Sequence, residues 1–268
     1  MPIRLVVSDV DGTLVTPEKT LTPATIAAIG ALRARDIAFT VASSRPPIGL
    51  RPLIETLGLT LPMGAFNGST VVTPDLAVVS EAHIPADAAR AAAARFAERG
   101  IDLWVFADGA WLLRDPQGPY TDLERRTLRA EPRVAADLGP FLDRAAKLVG
   151  VSRDATGLAA CETALAAELG SQAAVHRSQT YYLDVTPPGT DKGHFVDRLR
   201  RQLGLAREDV ATLGDMANDV AMFAAGGLSI AMGNAADAVK RQARAVTEAN
   251  DAEGFARAIE RYVLAAGA

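Results

Sequence analysis

Short apolar runs alternate with helical patterns over the first third of the chain. Strands are predicted for three of these runs, IRLVV (3–7), IAFTVAS (37–43) and LPMGAF (61–66). The segment TPATIAAIGALRAR (22–35) predicts a helix with Pro23 at its first position. A second helix is predicted from about Arg45 to Leu57, with Ser44 as its cap. Because strands and helices alternate, the pattern indicates a parallel sheet covered by helices.

The pattern changes in the middle of the chain, where strands and helices no longer alternate regularly. Residues 67–82 are typical of antiparallel hairpins, and Asp108-Gly109 between two β runs is a strong hairpin signal. Helices are predicted at 85–100, which is rich in alanine, and near 155–169. Further strands are predicted at 145–152, 173–178 and 180–186. This mixture predicts a compact α+β domain.

Regular alternation returns after the segment PPGTDKG (187–193). The predicted elements are a helix at 193–203, a strand at 209–215, a helix at 218–227, a strand at 228–232, a helix near 235–243, a short strand at 245–247 and a final helix near 252–265. The sequence therefore predicts an α/β protein. Its doubly wound parallel-sheet core spans residues 1–82 and 187–268, and an α+β domain is inserted at 83–186.

Composition narrows the class of protein. The chain of 268 residues has 28 basic and 32 acidic side chains, a net charge of −4, which gives no basic surface for nucleic acid. Its apolar stretches are interrupted by charge or proline well short of a membrane span. Cys161 is the only cysteine, and the N-terminus lacks a signal-peptide pattern, so a cytoplasmic location is expected. The sequence carries no signal for an oligomeric state.

Four groups of polar residues follow predicted strand ends or begin a predicted helix. They are Asp9 with Asp11, Ser43 with Ser44 and Arg45, Lys192, and Asp215 with Asn218 and Asp219. In open parallel sheets, ligands bind beyond the carboxyl ends of the strands, so these groups are expected to meet in one crevice. Four carboxylates there would repel one another unless a cation joined them, and oxygen ligands favour Mg²⁺. Histidine and cysteine, which zinc prefers, are absent from these positions.

The remaining groups in this crevice suit a phosphate. A hydroxyl, an ammonium and helix N-termini are what a phosphate dianion needs. A metal ion, a phosphate site and carboxylates together indicate phosphoryl transfer. One carboxylate can act as the nucleophile and form an aspartyl phosphate. The carboxylate two residues on can protonate the leaving oxygen and then deprotonate the attacking water.

Motifs along the whole chain resemble those of a known family. SDVDGTL (8–14) resembles the DxDGT signature of the haloacid dehalogenase superfamily of phosphohydrolases. The other matching motifs are SSRP (43–46), FNGS (66–69), DKG (191–193), GDMAND (214–219), AMGNA (231–235) and AVTEANDAEG (245–254). Their order and spacing resemble the Cof-type subgroup, in which a large α/β cap is inserted between the second and third motifs. The resemblance implies a haloacid dehalogenase core, with the inserted domain as its cap.

The resemblance also implies roles for single residues. Asp9 would be the nucleophile and a Mg²⁺ ligand, Asp215 a further Mg²⁺ ligand, and Asp11 the general acid/base with its backbone carbonyl on the metal. The residues implied in binding or neutralising the phosphate are Ser43, Ser44, Lys192 and Asn218, and Asp219 would orient a metal-bound water or Lys192. The subgroup often has Thr-Gly-Arg where this chain has Ser43-Ser44-Arg45, so the hydroxyl is kept while the backbone approach at Ser44 differs.

Each of these residue types also has a simpler interpretation. Ser43 and Ser44 are common helix caps, Asp219 would favour a helix N-terminus, and Lys192 alone would be a surface lysine. Arg45 fits a substrate contact and a surface charge equally well.

The motifs together favour a Mg²⁺-dependent phosphatase that acts on a small phosphate ester, with sugar phosphates as the class that the resemblance implies. Two alternatives stay open at this point. One is a sugar phosphomutase of the same superfamily, and the other is a protein that binds a phosphorylated metabolite without turnover.

Overall fold

A computed structural model describes residues 2–265. Its central element is a five-stranded parallel sheet formed by the two ends of the chain. In spatial order the strands are β14 (Ala245–Val246), β13 (Leu228–Ala231), β12 (Val210–Gly214), β1 (Leu5–Ser8) and β2 (Ala38–Val41). The predicted α/β class with a parallel-sheet core is confirmed. Because β1 lies between β12 and β2, its carboxyl end is flanked by the ends of both neighbours.

Helices cover both faces of this sheet because its strands are apolar on both sides. Val6 packs with the helices of one face, and its neighbours Leu5 and Val7 pack with those of the other. The first face carries α1 (Pro23–Arg33), α2 (Arg51–Leu57) and α9 (Gly254–Ala258), and the second carries α6 (Lys192–Gln202) and α7 (Val220–Ala225). The short helix α8 (Asp237–Lys240) follows β13. This two-sided cover is the doubly wound arrangement that the sequence predicts.

A small antiparallel sheet extends the core beyond β2. Its strands are β3 (Met63–Ala65), β4 (Thr70–Val72) and β5 (Val78–Glu81). β3 lies next to the end of β2 through a parallel bridge between Ala42 and Gly64. The tight turn between β3 and β4 contains Phe66 and Asn67, both with positive φ, and the antiparallel pairing that follows agrees with the hairpins predicted over residues 67–82.

A separate six-stranded sheet is formed by the middle of the chain. Its spatial order is β10 (Ala174–Gln179), β11 (Tyr182–Thr186), β9 (Ala145–Val151), β6 (Asp102–Ala107), β7 (Ala110–Leu113) and β8 (Arg133–Val134). All neighbouring pairs are antiparallel except β7 with β8. Three helices belong to this region, α3 (Ala86–Glu98), α4 (Thr121–Leu128) and α5 (Ala155–Leu169). We call this region the cap and keep its limits, residues 83 and 186, as a prediction.

The two faces of the cap sheet have different neighbours. α3 and α5 pack on one face, where Phe96 and Cys161 are fully buried. The other face is aromatic and turns toward the core, and the ring centroid of Phe106 lies 5.3 Å from that of Phe66. Trp104 and Trp111 are buried on this face. The cap therefore covers the core with a wall of aromatic side chains.

The helices differ from the predicted ones in three places. The segment predicted as one helix from Arg45 to Leu57 begins with a 3₁₀ turn at Pro47–Leu50, and the Ser44 side chain caps neither part. Pro46 and Pro47 disfavour an α-helical start here because each lacks an N–H and restricts the residue before it. The final helix is α9 followed by a π-helical turn, Ile259–Leu264, and α4 was not predicted. Within residues 2–265, no helix combines the length and apolar character needed to cross a membrane.

Candidate active site

The predicted site residues follow the ends of three neighbouring strands. Asp9 directly follows β1, and its N–H donates to the carbonyl oxygen of Leu213 in β12 at 2.9 Å. Asp215 follows β12, and Ser43 follows β2. Because β1 is hydrogen-bonded to both other strands, the sheet brings these three residues to one edge.

Lys192 links two buried carboxylates at this edge. It is the first residue of α6, and only 1% of its surface is exposed. Its Nζ donates to Oδ1 of Asp9 at 2.5 Å and to Oδ1 of Asp219 at 2.6 Å. This burial and pairing exclude the interpretation of Lys192 as a surface lysine. The ammonium therefore neutralises charge where a phosphate would meet Asp9.

Asp219 is fully engaged by protein donors. Its Oδ1 accepts from Lys192, and its Oδ2 accepts from the backbone N–H groups of Asp215 and Met216 at 2.8 and 2.9 Å. Asp219 thereby fixes both the ammonium and the loop that carries Asp215. This is an orienting position, which is where the resemblance places Asp219.

Three carboxylates form the group that suits a metal ion. One oxygen from each of Asp9, Asp215 and Asp219 lies within 4.8 Å of the others, and all three residues are buried. Lys192 balances one of these three charges, so a divalent cation would neutralise the rest. Asp219 accepts three short hydrogen bonds, from the Lys192 ammonium and two backbone N–H groups, whereas Asp215 accepts only two longer ones from neutral side chains. Asp9 and Asp215 are therefore the carboxylates better placed to coordinate. This all-oxygen set fits Mg²⁺.

Asp215 is held by residues that we did not single out from the sequence. The hydroxyl of Thr13 donates to its Oδ1 and the side-chain amide of Asn234 donates to its Oδ2, each at 3.2 Å. A Cβ on Gly12 would lie 2.2 Å from Oδ2, and Gly12 has a φ of +89°. The glycine of the DGT motif therefore serves both the turn and the close approach of Asp215. The motifs DGT and AMGNA were the signals that could have identified these residues.

The carboxylate of Asp11 lies in a different environment from that of Asp9. The guanidinium of Arg45 donates to both of its oxygens at 2.7 and 2.8 Å, and Nζ of Lys19 lies 2.8 Å from Oδ1. Arg45 is buried, so its interpretation as a surface charge is wrong. Lys19 was not predicted, since it lies in a loop without a recognisable motif. The Asp11 side chain is therefore held apart from the carboxylate group of Asp9.

The predicted phosphate-binding residues lie at the same edge of the sheet but differ in their contacts. Ser43 is fully buried and its Oγ accepts the N–H of Arg45 at 3.1 Å, which leaves its hydroxyl proton for another acceptor. Asn218 donates to Oδ1 of Asn67 at 3.1 Å, and its own Oδ1 is buried without a partner in the described residues. The carbonyl oxygen of Ser44 accepts from Lys147 of the cap at 3.0 Å. Ser44 thus has a contact with the cap.

Burial and charge shift the pKa values of these groups in opposite directions. Burial raises the pKa of Asp9 well above its usual value, although Lys192 opposes this. Burial and the nearby Asp219 raise the pKa of Asp215 to about 7. Burial would also raise the pKa of Asp11, but the Arg45 guanidinium holds it well below its usual range. Without a metal ion, the carboxylates of Asp9 and Asp215 therefore tend to hold protons, and Asp11 is ionised.

A cleft joins this site to the aromatic face of the cap. It encloses about 530 Å³, including its open mouth. Its core side is lined by Asp11, Lys19, Ser44, Arg45 and Pro46, and its cap side by Trp104, Phe106, Leu123, Glu124, Thr127, Lys147, Val149, Ser178, Gln179, Tyr181 and Tyr182. Glu124 and Lys147 were not predicted from the sequence. The spacing Thr121…Glu124, typical of a helix start, was the available signal for α4.

The fold agrees with comparisons to known proteins. The family model of the haloacid dehalogenase-like hydrolases matches residues 6–259. The chain belongs to this family, which is a group of phosphoric monoester hydrolases, and it is an enzyme of that group. The resemblance seen in the motifs is thereby confirmed.

Individual relatives match over nearly the whole chain. Pyridoxal phosphate phosphatase YbhA of Escherichia coli (strain K12) is 27% identical, over 98% of this chain and all of that protein. HMP-PP phosphatase of Cronobacter sakazakii is 28% identical, over 87% of this chain and 85% of that protein. A crystal structure of a haloacid dehalogenase-like hydrolase from Bacteroides thetaiotaomicron has a TM-score of 0.84 and 28% identity, and the match covers 97% of this chain and 99% of that one.

Proposed function

We propose that this protein is a Mg²⁺-dependent phosphatase in which Asp9 attacks the phosphorus of a small phosphate ester. The position of Asp9 carries this proposal. Lys192 fixes its Oδ1, while its Oδ2 has no hydrogen-bond partner within residues 2–265. A carboxylate oxygen that is held in place and left free at the edge of a parallel sheet is suited to act as a nucleophile.

The residues that would hold the metal are Asp9, Asp215 and the backbone carbonyl of Asp11. A bound Mg²⁺ would neutralise charge on the phosphoryl group and favour the ionised form of Asp9. On the side of the protein, Lys192 adds a fixed ammonium, and Ser43 adds a hydroxyl donor to the phosphate. Asn218 lies at the same edge, and its hydrogen bond to Asn67 orients its side chain.

Two displacements at phosphorus complete the reaction. In the first, a bond forms between Asp9 and phosphorus and the ester P–O bond breaks, while Asp11 gives a proton to the leaving oxygen. In the second, Asp11 takes a proton from water as the water oxygen attacks phosphorus and the bond to Asp9 breaks. Asp11 must separate from Arg45 to carry that proton, because the guanidinium favours its ionised form.

The substrate is proposed to be a small phosphorylated metabolite that fits the cleft between core and cap. The sequence resemblance favours a sugar phosphate. The relatives named for pyridoxal phosphate and for HMP-PP add phosphorylated heterocycles to the compounds that merit testing. No nucleic-acid or membrane partner is proposed.

Phosphate release from a panel of sugar phosphates, heterocyclic phosphates and an aryl phosphate tests the proposal. Release should require Mg²⁺, stop with EDTA and be lost in Asp9→Asn. Asp154→Ala is a suitable control, since Asp154 caps α5 on the far face of the cap and should affect stability alone. If the folded protein releases phosphate from none of these compounds, the proposal that it is a phosphatase is refuted. Stable phosphorylation of Asp9 would then favour a phosphomutase, and binding without phosphorylation would favour a sensor.

A further inference from the structure

Glu124 is a carboxylate in the cleft that forms no ion pair within residues 2–265. It lies on α4 and lines the same cleft as Asp11 and Arg45. The one hydrogen bond of its side chain in that part of the chain comes from the hydroxyl of Tyr182, which donates to Oε2 at 3.1 Å. Oε1 has no partner in that part of the chain. A partly buried carboxylate oxygen without a donor is costly, and in a substrate cleft it is positioned to accept a hydrogen bond.

The other charged groups that line the cleft have ion-pair partners. Lys147 pairs with the buried Asp184 at 2.6 Å, and Arg45 and Lys19 both contact Asp11. Burial raises the pKa of Glu124 to about 7, which Lys147 and the hydrogen bond from Tyr182 only partly offset. The cap side of the cleft therefore carries one carboxylate whose charge is not balanced by a direct contact.

Glu124 is placed to contact the leaving group of a bound ester and not its phosphate. The phosphate would lie at the strand ends near Asp9 and Lys192, which belong to the core. Glu124 comes from the cap and lines a cleft whose core side includes Asp11, two residues along the chain from Asp9. An alcohol leaving group that extends from the phosphate into the cleft would reach the cap side chains.

We propose that Glu124 is a specificity-determining residue that accepts a hydrogen bond from a donor on the leaving group, either a hydroxyl or an ammonium. This inference rests on the proposed function. An anionic group of the leaving group placed against Glu124 would be repelled, because no cation contacts this carboxylate within residues 2–265. Tyr182 acts as a positioning residue, since its hydroxyl holds Oε2 and leaves Oε1 free to accept.

Four esters with three-carbon leaving groups test this inference. Propyl phosphate has no donor on its leaving group, glycerol 1-phosphate has hydroxyls, 3-aminopropyl phosphate has an ammonium, and the phosphate ester of 3-hydroxypropanoate has a carboxylate and no donor. The wild-type enzyme should prefer glycerol 1-phosphate or 3-aminopropyl phosphate to propyl phosphate and should act worst on the carboxylate ester. The ranking of glycerol 1-phosphate against 3-aminopropyl phosphate shows which donor Glu124 accepts.

Variants at Glu124 should remove this preference selectively. A hydrogen bond to a charged group corresponds to roughly 10- to 150-fold in an equilibrium constant. Glu124→Ala should therefore lower kcat/KM for the preferred donor-bearing ester about 10-fold or more, mainly through KM, and change propyl phosphate less than about 3-fold. Glu124→Gln keeps the shape of the side chain but removes its charge. Its largest loss of kcat/KM should therefore be for the ammonium ester. Glu131→Gln is the matched control, because Glu131 follows the same helix and is 80% exposed.

The same experiment separates this inference from the proposed function. An equal loss on all four esters in both Glu124 variants would overturn the role of Glu124 while the phosphatase stands. If the wild-type enzyme releases no phosphate from any ester, including p-nitrophenyl phosphate, the proposed function fails. Calorimetric binding of the four esters to Asp9→Asn then decides the inference without turnover, because the preference for donors must appear in binding and disappear with Glu124→Ala.

Discussion

Two carboxylates only two residues apart have opposite surroundings in this protein. Asp9 lies beside other carboxylates and shares one ammonium with Asp219, whereas Asp11 is held by the cations of Arg45 and Lys19. Burial, with the neighbouring Asp219, raises the pKa of Asp9, whereas Arg45 and Lys19 lower the pKa of Asp11 in spite of its burial. Separate environments of this kind suit separate tasks, a nucleophile and a proton carrier.

The division of tasks predicts the behaviour of Asp11→Asn. An aryl phosphate has a good leaving group that needs no proton, so Asp9 should still be phosphorylated at a substantial rate. Hydrolysis of the aspartyl phosphate needs the base, so it should slow by about 10²- to 10⁴-fold. Rapid mixing with p-nitrophenyl phosphate should therefore show a burst of p-nitrophenol equal to the enzyme concentration. Asp9→Asn should show no burst, and a uniform slow release from Asp11→Asn would contradict the assignment.

At the scale of elements, α4 connects the cap to the core. Leu128 at its end is buried and packs onto Gly49 in the 3₁₀ turn of the core, where a Cβ would lie 2.7 Å from Leu128 Cδ2. The same helix carries Glu124 into the cleft. The packing of one leucine against one glycine therefore helps to set the distance between the cap side chains and the catalytic edge.

Shortening this leucine should weaken the contact between α4 and the core. Leu128→Ala removes a fully buried side chain, so we expect it to lower the free energy of unfolding by about 2–5 kcal/mol. Urea unfolding measures this change. Leu203→Ala is the matched control, because Leu203 is 39% exposed and its truncation should cost less than about 1 kcal/mol. Equal losses in the two variants would show that Leu128 contributes no packing at this contact.

At the scale of the whole molecule, metal binding and stability are linked through the buried carboxylates. Unfolded carboxyl groups have pKa values near 4, whereas those of Asp215 and Glu124 in the folded protein are raised to about 7, and that of Asp9 is also raised. At pH values between about 4 and 7, these carboxyl groups keep protons in the folded state that they have released in the unfolded state. The stability of the metal-free protein should therefore fall as the pH rises through this window. The lowered pKa of Asp11 acts in the opposite sense, but only below about pH 4.

Mg²⁺ should reverse this dependence, because it binds the ionised carboxylates. Thermal unfolding in EDTA should give a lower Tm at about pH 8 than at about pH 5.5, by several degrees, since about 1 kcal/mol corresponds to roughly 2–4 °C in a protein of this size. The stabilisation by Mg²⁺ should be larger at the higher pH. Asp215→Asn should reduce both effects. A Tm in EDTA that is independent of pH over this range would contradict the assignment of these shifts.

The sequence by itself determined the elements that carry the catalytic edge. An apolar run followed by Asp9, a second one followed by Asp215, and Lys192 beside a helix start are local patterns, and local backbone preferences and periodicity suffice to place them. Parallel pairing then leaves one edge where strand ends can meet, so the convergence of these residues was predictable. The family motifs added the roles, which remain proposals.

Tertiary structure alone decided which partners the charged groups have. Arg45 reaches Asp11 from the loop after β2, Lys19 folds back onto it within the connection between β1 and α1, and Glu124 enters the cleft because α4 packs on the core. The position of Glu124 also depends on how the cap lies on the core. Periodicity and propensity carry no information about such distances, because they describe neighbours along the chain and not across the fold. The edge where we propose that the phosphate binds was therefore predictable from the sequence, whereas the cleft proposed to select the leaving group was not.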